Sequence, residues 1–176
     1  AKSCYLTPIS SDKLGDLLAA KLEREGVVLA GGRSEKPSSL ALVSIENGIP
    51  SYGFYRSDTA ERQVSKNFLN HIIPFDVQIL HLGSVALIDG EDARAWEAAF
   101  AKHHQAGRDG AASLTSLDPN IRPSLVADAD SYRARLKRMM QHADILKLSD
   151  EDLNWLYPGT TLEEGFKACV GDGAAA

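Results

Sequence analysis

The sequence predicts an α/β fold with a parallel-rich central sheet, helices on both faces and a small β-hairpin. From residue 77 onward, apolar strand-like runs alternate with segments of helical periodicity, an order typical of a parallel sheet covered by helices. Earlier in the chain, two strand-like runs flank Asn47-Gly48, a dipeptide that favours a tight hairpin turn because both residues tolerate positive φ. At 176 residues, the chain fits one domain with a sizeable core.

The first part of the chain predicts short elements. A strand at 3–7 ends at Pro8, and a helix capped by Ser10 or Ser11 follows, with leucines at helical spacing until a stop at Gly26. Val27-Val28-Leu29 is too short to assign. The two hairpin strands come next, before a polar interval, and they are predicted at 39–45 and 51–56.

The second part predicts a regular alternation of strands and helices. The predicted elements are, in order, a strand at 77–83, a helix at 91–105, a strand at 112–117, a helix at 131–142, a strand at 145–148, and helices at 150–156 and 162–169. Tyr132, Leu136, Met139 and Ala143 recur at helical intervals, which predicts that they face the core. The basic run at 133–138 is interpreted as the solvent-exposed face of that helix rather than a binding patch.

Composition excludes several classes of partner. A net charge of −5 gives no electrostatic reason to expect nucleic acid or an anionic membrane as a partner. No apolar run approaches the ~20 residues that a membrane span needs. Cys4 and Cys169 are far apart, in no metal-binding spacing, and no signal peptide is visible. A reduced, cytoplasmic protein is therefore expected.

The segment Asp118-Pro119-Asn120-Ile121-Arg122 carries the first candidate site. Pro119 ends the strand, so Asn120 and Arg122 project from the carboxyl end of the sheet, where α/β proteins bind ligands. The planar guanidinium of Arg122 suits carboxylate, phosphate or paired hydroxyl groups. Alternatively, Arg122 is a solvent-facing loop residue paired with an acid such as Asp128.

The segment Lys147-Leu148-Ser149-Asp150-Glu151-Asp152 has two interpretations. In the structural one, Ser149 caps a helix and Asp152 completes a capping box. In the functional one, nucleotide phosphates and magnesium lie near this helix start, and the carboxylates act there through the metal or its water shell. The five histidines lack ligand spacing, and Gly31-Gly32 indicates a turn rather than a phosphate loop.

These segments resemble the ribokinase-type carbohydrate kinases, also called the phosphofructokinase-B superfamily. Residues 116–125 are similar to the Asp-Pro-Asn-x-Arg-x-x-Leu motif of its fructokinase and ketodeoxygluconate-kinase branches. The resemblance implies a three-layer ribokinase-like fold in which Asn120 and Arg122 contact the sugar. It also implies that the hairpin at 39–60 is a lid, with Tyr55 and Arg56 matching its aromatic-plus-arginine signature; packing on the sheet is the alternative role for its aromatic residues.

The same resemblance implies ATP and magnesium as cofactors. Lys147 and Ser149 would face the nucleotide and Asp152 the metal, although this chain has Ser149-x-x-Asp152 where the wider family has Asn-x-x-Glu. The partners implied are a sugar or sugar acid, ATP, and a second copy of the chain paired through the lid.

The resemblance extends over residues 10–159 and covers only the middle of that family's fold. The Gly-Ala-Gly-Asp signature, which holds the catalytic base, is not found; Val170-Gly171-Asp172-Gly173-Ala174 is not a match. The sequence therefore predicts one incomplete α/β domain over 1–176 of a kinase that phosphorylates a hydroxymethyl group, with no catalytic residue in this chain and the base in a missing C-terminal segment. The alternatives are a non-catalytic sugar-binding or oligomerisation module and a generic nucleotide-binding domain.

Overall fold

The structure is a computed structural model that describes residues 2–46, 49–74 and 76–171. It divides into two compact units, unit 1 (Ala1–Ile73) and unit 2 (Pro74–Ala176). The hairpin turn predicted at Asn47-Gly48 lies outside the described residues, as does the tail after residue 171.

Within its described residues, unit 1 is built from strand pairs and two α-helices. Its elements are β1 (Cys4–Tyr5), β2 (Ile9–Ser10), α1 (Lys13–Arg24), β3 (Val28–Leu29), β4 (Arg33–Ser34), β5 (Leu40–Glu46), β6 (Ile49–Tyr55) and α2 (Lys66–Ile72). β1 pairs with β3 and β2 with β4, both in parallel, while β5 and β6 form an antiparallel hairpin. The predicted hairpin strands are confirmed, and the short run that the sequence left unassigned is strand β3.

The start of α1 corrects the predicted cap. The helix is capped by Asp12, whose carboxylate accepts from the Gly15 N–H at 2.8 Å, and not by Ser10 or Ser11. Ser10 Oγ accepts from the Asp12 N–H at 3.1 Å, and the Ser11 hydroxyl donates to the Ser34 carbonyl. Both serines are therefore occupied by the loop, which leaves the carboxylate to satisfy the helix.

Helix α2 was not predicted from the sequence, because its segment was interpreted as a polar interval. Ser65 Oγ caps it by accepting from the Phe68 N–H at 3.1 Å. The helix has 7 residues, barely two turns, so its apolar positions are too few to establish a period.

Unit 2 contains a three-stranded parallel sheet in the order β7-β8-β9. Its elements are β7 (Ile79–Gly83), α3 (Gly90–Arg108), β8 (Leu114–Asp118), α4 (Ala129–Met140), β9 (Ile145–Leu146), α5 (Asp150–Leu156) and α6 (Leu162–Gly171). The predicted strand–helix alternation is confirmed, with small differences at the element ends. In the described part of the chain, no helix has the length and hydropathy needed to cross a membrane.

Helix α4 supplies much of the core of unit 2. Tyr132, Leu136 and Met139 are 1%, 0% and 0% exposed, which confirms the predicted core stripe. The prediction of a solvent face at 133–138 is wrong for Arg135, whose side chain is 12% exposed and donates to the carbonyls of residues 87 and 88 at 3.0 and 2.8 Å. Arg133 lies 4.7 Å from the centre of the Trp155 ring. Long arginine stems cover apolar surface well, so a basic run does not by itself mark a hydrated face.

Candidate functional site at the carboxyl ends of β7 and β8

The carboxyl ends of β7 and β8 approach each other closely. Gly83 is paired with Asp118, and a Cβ at Gly83 would lie 2.0 Å from the Asp118 carbonyl oxygen, so only glycine fits. Directly after these residues, the Ser84 N–H donates to the Pro119 carbonyl at 3.0 Å. The two strand ends and the loops that leave them are therefore tied together by backbone contacts.

Two residues at this edge have left-handed backbone. Ser84 has φ 56° and Asn120 has φ 42°; among the described non-glycine residues, only Asp58 also has positive φ. Such conformations cost free energy and concentrate at functional sites. Asn120 was a predicted site residue, whereas Ser84 was missed, and its position directly after a buried strand was the only available signal.

Arg122 extends from the same loop without an anionic partner. Its Nη1 donates to the carbonyls of Asn120 and Ile121 at 3.2 and 3.1 Å, and within the described ranges no carboxylate lies at ion-pair distance from it. The alternative partner Asp128 instead caps α4, accepting from the Ser131 N–H at 3.0 Å, and hydrogen bonds from Ser131 lower its pKa. Neutral carbonyls hold the guanidinium while its charge remains available to a ligand.

Lys147 follows β9 at the neighbouring strand end. Its ammonium nitrogen lies 3.1 Å from Asp118 Oδ2, and the lysine side chain is 60% exposed. An exposed pair of this kind contributes little to stability, about 0–1 kcal/mol, because water screens it. Lys147 can therefore exchange Asp118 for a phosphate at small cost.

The capping box predicted at the start of α5 is confirmed. Ser149 Oγ accepts from the Asp152 N–H at 3.1 Å, and Asp152 Oδ2 accepts from the Ser149 N–H at 3.0 Å. Asp152 is 3% exposed, and its other oxygen accepts from the Ile121 N–H at 2.7 Å. Asn120, Arg122, Lys147, Ser149 and Asp152 are thus brought together at one edge of the unit 2 sheet.

The residues described here do not assemble a ligand set for a resident metal ion. No group of three or more histidine, cysteine, aspartate or glutamate side chains converges within these ranges. Both oxygens of Asp152 already accept backbone hydrogen bonds. These contacts fit a structural carboxylate, and a metal role for Asp152 stays a prediction.

In unit 1, Tyr55 and Arg56 lie at the end of β6. The Tyr55 side chain is exposed, which favours a ligand-facing position over packing beneath the hairpin. Arg56 Nε lies 3.3 Å from Glu61 Oε1, and these side chains are 10% and 18% exposed. Arg56 is therefore anchored through its Nε by a partly buried ion pair.

A second polar cluster lies at the amino ends of β8 and β9, away from the candidate site. Asp144 Oδ2 accepts from the backbone N–H and the hydroxyl of Thr115, each at 2.8 Å, and His104 Nδ1 lies 3.5 Å from Asp144 Oδ1. Burial would raise the pKa of Asp144, but these hydrogen bonds and the charge of His104 lower it. The ring of His142 lies 5.4 Å from that of His104. Because the candidate site lies at the carboxyl ends of the strands, at the opposite edge of the sheet, we assign this cluster a role in stabilising the fold.

Comparison with known proteins places this site in a family context. A family described as pfkB family carbohydrate kinase matches residues 1–172. A fructokinase from Rhizobium leguminosarum bv. trifolii is 35% identical over 154 residues, which are 87% of this chain and 45% of that protein. The chain thus spans about half the length of the curated relatives it matches.

Solved structures show the same fold. The fructokinase from Xylella fastidiosa with bound ATP has a TM-score of 0.77 at 26% identity, covering 96% of this chain and 52% of its own. The fructokinase from Vibrio cholerae O395 in its fructose-, ADP- and calcium-bound form has a TM-score of 0.79 at 22% identity, covering 98% of this chain and 54% of its own. The predicted ribokinase-like α/β fold is confirmed, and the chain belongs to the pfkB family of carbohydrate kinases.

Proposed function

We propose that this chain is part of an ATP-dependent sugar kinase that phosphorylates the hydroxymethyl group of a ketose or sugar acid, with fructose as the first candidate. One observation carries the proposal. Arg122 stands at the carboxyl end of a parallel strand, held by neutral carbonyls, beside the left-handed Asn120. A guanidinium in this setting can donate parallel hydrogen bonds to sugar hydroxyls or to a sugar carboxylate.

The nucleotide is proposed to lie beside Lys147 and Ser149. Lys147 would exchange Asp118 for a phosphate oxygen, and the Ser149 hydroxyl, which accepts from Asp152 N–H, keeps its own hydrogen for donation. Magnesium would arrive with ATP, because this ion is held mainly by substrate phosphates and water. The residues of this chain then orient sugar and nucleotide for in-line transfer, which is most of what such kinases contribute.

The hairpin at 39–60 is proposed as a lid over the sugar. Tyr55 offers an exposed ring, and Arg56 offers terminal amino groups while its Nε holds Glu61. Excluding water would protect the phosphoryl group from hydrolysis. The hairpin also exposes Leu42, Val43 and Ile45 at 56%, 56% and 72%, which supports the proposed pairing of two copies through the lid.

The remaining parts of the proposal concern the whole protein. We place the general base outside residues 1–176, in keeping with the fraction of the relatives that this chain spans. In this proposal both units belong to one kinase domain that acts in the cytoplasm, without nucleic acid or membrane as partners.

The test is an assay of ADP formation by the protein as its own gene encodes it, with MgATP and a panel of fructose, ketodeoxygluconate and ribose. Arg122→Ala should lower kcat/KM for the preferred sugar about 10- to 100-fold, since it removes charge-assisted hydrogen bonds. The matched control is Arg94→Ala, on the exposed face of α3, which should stay within about twofold of the parent.

Two other outcomes would replace the proposal. Sugar binding by calorimetry without ATP turnover would favour the non-catalytic sugar-binding module. Unchanged kinetics in Arg122→Ala would remove the sugar site from this loop.

A further inference from the structure

Asp152 makes one contact that its capping role does not need. A capping box requires only the reciprocal bonds between Ser149 and Asp152, and these are present. The second carboxylate oxygen instead reaches across to the loop after β8 and accepts from the Ile121 N–H at 2.7 Å, in a buried setting. The start of α5 and the Asp118–Arg122 loop are therefore joined through a single side chain.

Ile121, whose N–H donates this hydrogen bond, lies between the two proposed sugar ligands. Asn120, on one side, has left-handed backbone, and Arg122, on the other, bonds to the carbonyls of its own loop. A left-handed conformation at a non-glycine residue persists only where the surroundings hold it. Because the Ile121 N–H is buried, leaving it without an acceptor would destabilise this loop conformation.

Asp152 lies in a buried setting near Tyr132. Tyr132 is 1% exposed, packs against the Trp155 ring at 5.6 Å, and its hydroxyl has no hydrogen-bond partner among the residues that the structure describes. Burial raises the pKa of Tyr132 and the charge of Asp152 raises it further, while the charges of Arg135 and Arg122 oppose the shift. In such low-dielectric surroundings, hydrogen bonds to a carboxylate are stronger than in water.

We propose that Asp152 is a positioning residue: its buried carboxylate fixes the backbone at Ile121 so that Asn120 and Arg122 are held in the geometry that binds the sugar. This inference rests on the proposed function, because it assumes that Asn120 and Arg122 are sugar ligands. It assigns to Asp152 an action on sugar affinity that differs from direct contact with a metal ion. Sugar affinity and metal requirement can be measured separately.

The kinetic test uses Asp152→Asn in the protein as its own gene encodes it. The amide oxygen can accept from only one of the two N–H donors, and the amino group then faces the other. KM for the sugar should rise about tenfold or more, while KM for ATP and the Mg²⁺ concentration for half-maximal activity stay within about twofold. Asp109→Asn, an exposed carboxylate at the end of α3, is the matched control and should change none of these values.

A second control separates positioning from loss of the helix start. Ser149→Ala removes one half of the capping box and the proposed nucleotide contact but leaves the Asp152–Ile121 contact, so KM for ATP should rise while KM for the sugar should not change. An equal rise of KM for the sugar in Ser149→Ala would reduce Asp152 to a cap and overturn the proposal. A changed Mg²⁺ requirement in Asp152→Asn, or unchanged kinetics in that variant, would overturn it as well.

Hydrogen exchange provides a readout that needs no substrate. The peptide spanning 118–125 should exchange faster in Asp152→Asn than in Ser149→Ala, because only the first variant weakens the acceptor of the Ile121 N–H. If the sugar assay fails for the parent protein, the proposed function fails, whereas the exchange result still decides whether Asp152 holds the loop.

Should Asp152→Asn not fold, Asp152→Glu keeps the charge and moves the carboxylate by one methylene. Equal exchange and unchanged KM in that variant would overturn the proposal.

Discussion

Unit 1 and unit 2 differ in where they keep their apolar side chains. In unit 2, Phe100, Leu117 and Leu136 are fully buried, and the helices pack on a continuous parallel sheet. In unit 1, Leu17 of α1 and Ile45 of β5 are 69% and 72% exposed, and the strands form separate pairs. Unit 2 is thus stabilised mainly by its own core, and unit 1 depends more on individual polar anchors.

The two arginines proposed to contact the sugar show the same difference. Arg56 in unit 1 is committed to Glu61 in a partly buried pair, whereas Arg122 in unit 2 contacts only carbonyls of its own loop. Arg56 is therefore held through its Nε by a carboxylate, while the guanidinium of Arg122 is held by neutral groups alone.

The largest expected effect compares one leucine from each unit. Leu136→Ala should lower the free energy of unfolding by about 2–5 kcal/mol, because it leaves a cavity in a filled core. Leu17→Ala should change it by less than about 0.5 kcal/mol, because that side chain is already exposed. Urea unfolding followed by far-UV circular dichroism measures both. Tryptophan fluorescence adds a probe of unit 2 alone, because Trp96 and Trp155 both lie there.

An equal loss in both variants would break the comparison between the units. It would show that the leucine face of α1 is covered in solution, either by a second copy or by other parts of the protein. Sedimentation of the parent chain at several concentrations would then separate these two cases.

The same difference explains how much of the fold could be predicted. In unit 2, the apolar residues that recur at helical spacing are the ones that are buried. Helix α5 was therefore predicted at its observed bounds, and the stripe through Leu136 was correctly placed in the core. In unit 1, elements of two residues such as β2 and β4 are fixed by pairing with distant residues. Local periodicity does not carry that information. The hairpin is the exception, because its turn chemistry and its pairing are both local.

The sequence predicted which residues belong to the candidate site, but not the contacts that hold them in place. Arg122 and Asn120 were identified because a proline ends their strand and because residues 116–125 resemble a family motif, and both signals are local. The bond from the Ile121 N–H to Asp152 joins residues 31 positions apart, and no spacing rule connects them. The left-handed backbone of Ser84 was missed for the same reason, since it lies next to the pairing of Gly83 with the distant Asp118.

A smaller effect is expected from exchanging the two arginines for methionine. Arg56→Met should destabilise the chain by about 2 kcal/mol, because it leaves the Glu61 carboxylate partly buried and unpaired. Arg122→Met should leave the free energy of unfolding within about 0.5 kcal/mol of the parent, because no carboxylate within the described ranges loses a partner. Far-UV circular dichroism in urea measures both. Adding Glu61→Gln to Arg56→Met should recover part of the lost stability. A large loss of stability in Arg122→Met would show that Arg122 has a structural role.

The smallest expected effect is a difference in how the two units respond to acid. In unit 2, burial lowers the pKa of His103, and the charge of Asp144 opposes this shift. Burial and the charge of His104 lower the pKa of His142, and the charge of Glu97 opposes that shift. When the folded pKa is below the unfolded value, the unfolded chain binds the proton first. The contribution of each histidine is therefore complete above about pH 6.5 and declines as the pH falls toward the folded pKa.

In unit 1, the corresponding group titrates at a lower pH. Hydrogen bonds from the Gly15 N–H and from the N–H and hydroxyl of Ser38 hold the pKa of Asp12 well below its usual 3.8. Its contribution is present above about pH 3.9 and is lost only as the pH falls below that.

Between pH 7 and 5, the urea midpoint by tryptophan fluorescence, which reports unit 2, should therefore fall by less than the Leu136→Ala change. His142→Gln should reduce this fall. Hydrogen exchange of peptides from α1 should stay constant over the same interval, and a parallel change there would mean that the two units lose stability together.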